Sequence, residues 1–293
     1  MTTIVAEGTR APAQAPLRPP NQVAEQITRR PYVSYTQLSL MRSCPRKFAF
    51  QYVENAPKDF IPSSLIYGGA IHASLEGYYR ARLEGLTLSS EEMLLCYHHA
   101  WQSNLKTAGE NTPVKFNATE DEAKVHALAQ RTIDAFLLSP LANPKGTVLG
   151  IEEELRVVLH PDLPDVLAKV DLVTQTDHVL HVIDFKTARS MWSEQKALES
   201  SDQLVLYGVT AQGMSRFLGL PVQLHFAVMT KAKEPKIKLL SVPTDSQRVT
   251  TMTETALTTW QAILAGNFYP NPSPMSCSTC PFKSRCPVFA GKA

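Results

Sequence analysis

The chain has 293 residues, 29 Lys and Arg against 27 Asp and Glu, and a hydrophobic fraction of 44%, the composition of a globular protein able to bury a large core. No run of about 18 apolar residues exists to span a bilayer, and the start MTTIVAEGTR lacks the basic-then-apolar pattern of a secretory signal. A cytoplasmic protein with no membrane partner is the expectation. Net charge is only +2, but it is unevenly spread: +4 over residues 1–60 (8 basic, 4 acidic), −7 over 61–230 (13 basic, 20 acidic) and +5 over 231–293 (8 basic, 3 acidic). An acidic middle between basic ends suits a metal centre flanked by phosphate-contacting surfaces; ordinary surface variation produces it too.

Residues 1–31 carry Pro12, Pro16, Pro19, Pro20 and Pro31 among small and polar residues and read as a flexible N-terminal arm. One large domain, residues 32–293, follows. Ser34 is placed to cap a short helix through Met41, and Cys44-Pro45 interrupts the next turn. The helical stretch from Arg46 to Val53 interleaves Arg46 and Lys47 with Phe48, Phe50 and Tyr52, a pattern that can hold a nucleic-acid backbone, or simply fill a core.

Residues 68–84 read as a helix entered through Gly68-Gly69, with His72 and Glu76 neighbours on one face. Such a histidine can ligate a metal, contact phosphate or be an ordinary helix residue. Residues 86–140 are helical in pattern and form an insertion. Ser89 or Ser90 starts one helix, and Thr119 with Glu122 reads as the capping box of the next. Cys96 reads as a buried thiol.

Strand character begins at Thr147. Glu152 and Glu154 share one face there and Glu153 takes the other; any one of them can serve as a third acidic group for a site built around the next hairpin, Glu154 being the choice, and an exposed edge strand accounts for all three as well. That hairpin is AKVDLVTQTDHVLHVIDFKT, residues 168–187. Ionisable groups are costly in apolar strands, yet Asp171 interrupts the first run, and Asp184 and Lys186 end the second. A two-residue turn at Thr176-Asp177 sets residue 171 opposite residue 182 and brings Asp171, Asp184 and Lys186 to one face. Two carboxylates so close favour a divalent cation, Mg²⁺ or Mn²⁺ by their oxygen ligands, with Lys186 able to position a nucleophile or offset phosphate charge. A salt-bridged edge hairpin would also account for the D-x-K spacing.

Residues 192–219 are mostly helical, with Gln203 and Tyr207 four apart on one face; strands at 222–230 and 236–242 and a helix after Asp245 complete an α/β chain with a mixed sheet. No Walker loop or dinucleotide fingerprint is present. The tail holds Cys277 and Cys280 as C-x₂-C, with Cys286 after five more residues. Three cysteines so close in a cytoplasmic protein point to metal or cluster ligation ahead of disulfides. Cys44, in a turn, is the choice for a fourth ligand, and zinc and [4Fe–4S] both accept such a set.

In this order the features resemble the RecB-like branch of the PD-(D/E)XK nucleases, especially the Cas4-like iron–sulfur exonucleases. The resemblance runs from Tyr32 to Pro287. It rests on His72 in an early helix, Asp171 in AKVDLV, Asp184 and Lys186 in VIDFKT, Gln203 and Tyr207 as Q-x₃-Y, and the four cysteines. It implies an α/β PD-(D/E)XK restriction-endonuclease-like core, a mixed β-sheet flanked by helices, with a helical insertion and a C-terminal cysteine cluster at 267–293. It also implies Mg²⁺ or Mn²⁺ on His72, Asp171 and Asp184, catalytic assistance from Lys186, and a [4Fe–4S] cluster on Cys44, Cys277, Cys280 and Cys286. The implied activity is metal-dependent cleavage of DNA, exonucleolytic on single strands or ends, with a helicase, recombination or CRISPR adaptation partner. A non-catalytic DNA-binding or accessory subunit with a structural cluster is the other reading.

Overall fold

In the computed structural model, which describes residues 18–290 apart from 110, 111, 145 and 244, the chain starts with helix α1 (Pro19–Thr28). Its first two residues are prolines, which suit a helix start because N–H groups there have no helical partner. Arg18 and Asn21 tie it to Asp165 at 2.8 and 2.9 Å. This part of the expected arm is therefore folded against the body, and residues 1–17 lie outside the described residues. Strand β1 (Val33–Ser34) leads into α2 (Tyr35–Ser43), capped reciprocally by Ser34 and Gln37. The short α3 (Pro45–Phe48) then passes into a π-helical turn over Ala49–Val53.

Strand β2 (Ile61–Pro62) precedes α4 (Ser63–Leu83), so Gly68 and Gly69 lie inside this helix and not at its entrance. Packing explains Gly68: a Cβ there would stand 3.4 Å from Thr187 Oγ1, so its bare Cα lets the helix lie close on the sheet. Helix α5 (Ser90–Ala108) carries the Ser89/Glu92 capping box, and β3 (Val114–Lys115) pairs with β2. Helix α6 (Glu122–Leu137) is capped by Asp121, not Thr119. The tyrosines and aliphatics of α4, α5 and α6 form one buried core with Ile151, Ile183, Phe185, Ala227 and Met229 of the sheet.

The sheet is built from β4 (Thr147–Val157), β5 (Val166–Gln175), β6 (Leu180–Ala188), β7 (Val222–Thr230) and β8 (Ile237–Val242), with β1 added. Neighbours β4/β5, β5/β6 and β7/β8 are antiparallel, whereas β6/β7 and β1/β5 are parallel. The crossover from β6 to β7 runs through α7 (Glu194–Glu199) and α8 (Asp202–Leu218). Side chains of Ala168, Val170, Val182, Leu224, Phe226 and Val228 pack against α8 on the face opposite α4. Helix α9 (Ser246–Leu264) buries Trp260 with α1 and α2, and α10 (Pro274–Ser278) belongs to the tail. Among the described residues no helix is long and apolar enough to cross a membrane.

The β5–β6 turn differs from the expected one by a single residue. Thr176 N–H donates to the Val179 carbonyl at 2.9 Å, leaving Asp177 and His178 at the tip. Moving a hairpin turn by one residue moves every cross-strand partner by two, which preserves the face. Val173 therefore stands opposite Val182, and the same register sets Asp171 level with Asp184, not with residue 182.

A fork opens beside Asp171. Strand β4 follows one edge of β5 from Val166 to Gln175. A strand has only two edges, so β1, which pairs at Val166–Leu167, and β6, which pairs at Leu172–Gln175, must share the other. The stretch 168–171 between them has no strand partner on that edge.

Candidate metal centre at the fork

His72, Glu152 and Asp171 offer ligand atoms that all lie within 4.8 Å of one another, and they are the one such group of His, Cys, Asp and Glu among the described residues. Three different elements supply them. Helix α4 presents His72 one turn after the close approach at Gly68, and its Nδ1 lies 3.5 Å from Asp171 Oδ1. The imidazole stands edge-on to Phe185 at a centroid distance of 6.1 Å. Phe185 is itself buried against Tyr79, and its backbone N–H donates to Asp171 Oδ2 at 2.6 Å. The core of α4 thus fixes both the ring and the carboxylate.

Strict alternation fails at this point in two strands at once. Val170 and Val173 pack on the α8 side, while Leu172 and, through its contact with His72, Asp171 both face α4. On β4, Ile151 and Glu152 likewise both face α4. The slip is made by Glu152, whose φ of +54° lies in the left-handed region, a conformation that costs a non-glycine residue roughly 1 kcal/mol or more. Glu152 therefore takes the place expected for Glu154, which is exposed. Nothing in the sequence marks a glutamate as the residue that departs from the strand conformation.

Asp184 is buried on β6. Lys186 Nζ lies 2.6 Å from its Oδ2 and also donates to Gln203 Oε1 at 2.8 Å, so one ammonium serves both groups. Gln203 Nε2 in turn donates to the Tyr207 hydroxyl at 2.5 Å. The Q-x₃-Y pair thereby orients the lysine.

The electrostatics match a site awaiting positive charge. Burial pushes the Asp184 carboxyl up to about 6, with Asp171 adding to the rise and Lys186 opposing it. Burial likewise raises Glu152, assisted by Asp171 and opposed by Lys169, which it meets at 2.6 Å. For His72, burial opposes protonation, but the hydrogen bond and charge of Asp171, with Asp184 behind it, outweigh it and raise the pKa. One imidazole with several carboxylate oxygens is a donor set suited to Mg²⁺ or Mn²⁺.

The expected [4Fe–4S] cluster is corrected by the same geometry. Cys44, Cys277, Cys280 and Cys286 border one small cavity with Arg46 and Lys47, but no three of them bring their sulfurs within 4.8 Å of one another. All are free thiols. Other contacts hold the tail. Phe282 is fully buried against Phe50, Asp59 accepts from Ser284 N–H at 3.0 Å and from Arg285 at 2.9 Å, and Arg46 N–H donates to Tyr269 O at 2.9 Å. Arg46 also pairs with Glu54 at 2.8 Å and lies over Phe50.

A mixed sheet between helical layers, with a histidine, carboxylates and a D-x-K lysine gathered where two strands part, defines a nuclease core of the α/β class. The sequence matches the PD-(D/E)XK nuclease superfamily over residues 32–287, and the chain belongs to it. Among solved structures, a candidate exonuclease from Eubacterium rectale has the same fold, with a TM-score of 0.51 and 12% identity over 88% of this chain and 89% of that one. The crystal structure of SSO0001 aligns over 57% of this chain and 79% of its own, with 15% identity and a TM-score of 0.33. No match to a curated protein was found.

Proposed function

We propose that the protein is a RecB-like, metal-dependent DNA exonuclease that hydrolyses phosphodiester bonds in single strands or at DNA ends, in recombination, repair or CRISPR adaptation. The observation that carries this reading is the convergence of His72, Glu152 and Asp171, with Asp184 buried on the neighbouring strand. The RecB-like affiliation draws on His72 preceding the core and on Gln203 and Tyr207 holding Lys186 after it.

His72, Glu152, Asp171 and Asp184 would hold Mg²⁺ or Mn²⁺, which when bound supplies Lewis-acid polarisation of the phosphodiester and a more acidic water. Lys186, restrained by Gln203, orients the attacking water and offsets the charge that develops on the phosphoryl oxygens. Phe185 N–H keeps Asp171 from turning away from the site, and Lys169 does the same for Glu152. Labelled single-stranded and duplex DNA with free or blocked ends, incubated with Mg²⁺, Mn²⁺ or EDTA, tests the proposal. Products that need metal and a free end, and that disappear in D184N and K186A, are expected; DNA bound but never cut would favour the accessory-subunit reading.

A further inference from the structure

Two cations, Arg189 and Lys231, stand at the edge of the site with no carboxylate at ion-pair distance among the described residues. Strands β6 and β7 run parallel with Lys186 beside Val228 and Ala188 beside Thr230. Thr187 and Phe185 point towards α4, and by alternation Arg189 and Lys231 lie on that side, just past the strand ends. Lys231 is placed firmly. Its N–H donates to Ala188 O at 2.7 Å, and the loop after it is closed by Lys236 N–H donating to Thr230 Oγ1 at 2.8 Å. Its ammonium lies 5.9 Å from the centre of the Tyr67 ring on α4.

The position is costly for a free cation. Lys231 is half-buried, and its pKa is lowered by burial, with Glu120 opposing that and Arg189 adding to it. Glu120 does not neutralise it at contact, since its carboxylate bonds to Asn117 at 2.9 Å and to Ser63 at 3.4 Å. Among the described residues, neither Lys231 nor Arg189 has a carboxylate within ion-pair distance. A partly desolvated ammonium beside a guanidinium, against an aromatic ring, is stabilised when an anion arrives.

Gly68 precedes His72 on α4 by about one turn and Tyr67 by five residues, a rise of about 7.5 Å. Resting on the nuclease reading above, we propose that Arg189 and Lys231 form a subsite for the DNA phosphate adjacent to the scissile one. The strand then runs along α4 from the metal centre towards the ends of β6 and β7. Tyr67 supplies the apolar wall that keeps the Lys231 ammonium extended into the groove. The two side chains position substrate, and the chemistry stays with the fork.

Equilibrium binding of a fluorescein-labelled single-stranded oligonucleotide to the full-length protein, measured by anisotropy in EDTA over a range of salt, tests the subsite without any need for cleavage. R189Q/K231M is expected to bind roughly tenfold more weakly, and the slope of log K against log salt to fall by about 0.7 for each lost phosphate contact. K231M should be at least as resistant to urea as wild type, because it removes a desolvated charge and keeps the stem. In Mn²⁺ the double variant should show a raised KM for the oligonucleotide with kcat held within a few-fold. Unchanged affinity and salt slope would overturn the subsite, as would a fall in kcat at constant KM or a K231M protein that unfolds early. Failure of the wild type to cut DNA in Mn²⁺ would instead remove the nuclease reading, and the binding and salt-slope comparison would still decide whether these cations meet phosphate.

Discussion

Replacing Asp184 with asparagine should make the metal-free protein more stable while abolishing the proposed activity. In the native fold this carboxyl has moved from an ordinary 3.8 up to about 6, chiefly because it is buried. Between those values the native state holds a proton that the unfolded chain has released, so stability falls as pH rises through this window. Above it the full penalty is present. At about 1.4 kcal/mol per pKa unit, the displacement is worth roughly 3 kcal/mol. Asparagine stands in for the protonated carboxyl and leaves Lys186 bonded to Gln203, so a net gain in stability is expected near pH 8. Urea unfolding in EDTA, followed by fluorescence of the buried Trp101 and Trp260, should give D184N the higher midpoint near pH 8 and nearly coincident curves near pH 4. Saturating Mn²⁺ should then raise the wild type by about 2.7 kcal/mol at one hundred times its Kd and move the variant much less. A D184N protein less stable than wild type in EDTA near pH 8 would refute the reasoning, because it would show that the charge is compensated without a cation.

Glycine at position 152 should relieve the left-handed backbone at Glu152 and stabilise the metal-free protein by about 1 kcal/mol, while metal-dependent cleavage falls at least tenfold; melts in EDTA beside Mn²⁺ titrations of activity check both halves. The His225 imidazole, pushed down to about 4 by burial and by His181, has the opposite sign to Asp184. From pH 6.5 towards 4 the unfolded state binds the extra proton, so acid should cost up to about 3 kcal/mol, and H225Q should flatten that slope in urea midpoints. In the tail, F282A should free the segment after Gly266 to limited proteolysis with a loss of about 3 kcal/mol or more. C286S should change the urea midpoint by less than about 1 kcal/mol, and a collapse of the fold in C286S would restore a structural role for that thiol.

The sequence carried the fold where a single local rule governs. Ser34, Ser89 and Asp245 each announce a helix, and each caps one. The apolar runs of β4 to β8 likewise fall on strands, and the i, i+4 spacing of Gln203 and Tyr207 places both on one face of α8, where they bond to each other. Legibility failed where tertiary packing overrode the local signal. Gly68 looks like a helix entrance by composition, but its role is set by Thr187, more than a hundred residues away. The hairpin turn placed one residue early shifts partners by an even number, but the slip in β5 turns Asp171 towards α4 while Asp184 stays on the face of Lys186, so the group around His72 contains Glu152 and Asp171 and not Asp184. Glu152 was one of three candidate glutamates, but alternation puts it on one face with Glu154 and only the φ reversal separates the two. The cysteines misled for the opposite reason. Their spacing in the chain is that of a ligand set, and the folded tail is held by Phe282 and Asp59 instead.

The cost of the site is concentrated in one small region. A left-handed glutamate, a slip of alternation in two strands, a stretch of β5 without a partner, and a buried carboxylate close to two others all occur at the fork. Each departs from what a stable sheet prefers, and each brings a ligand oxygen or an opening towards the same point. The surrounding layers bear that cost: Tyr67, Tyr78, Tyr79, Tyr97 and Trp101 are all essentially fully buried on the α4 side, and the Tyr78 and Tyr79 hydroxyls are satisfied by Ala142 and Leu141 carbonyls at 2.9 and 2.7 Å. The aromatic layer behind His72 and Phe185 packs α4 and the helices of residues 90–137 against the sheet at this point, so the strained and like-charged groups of the fork rest on one continuous core.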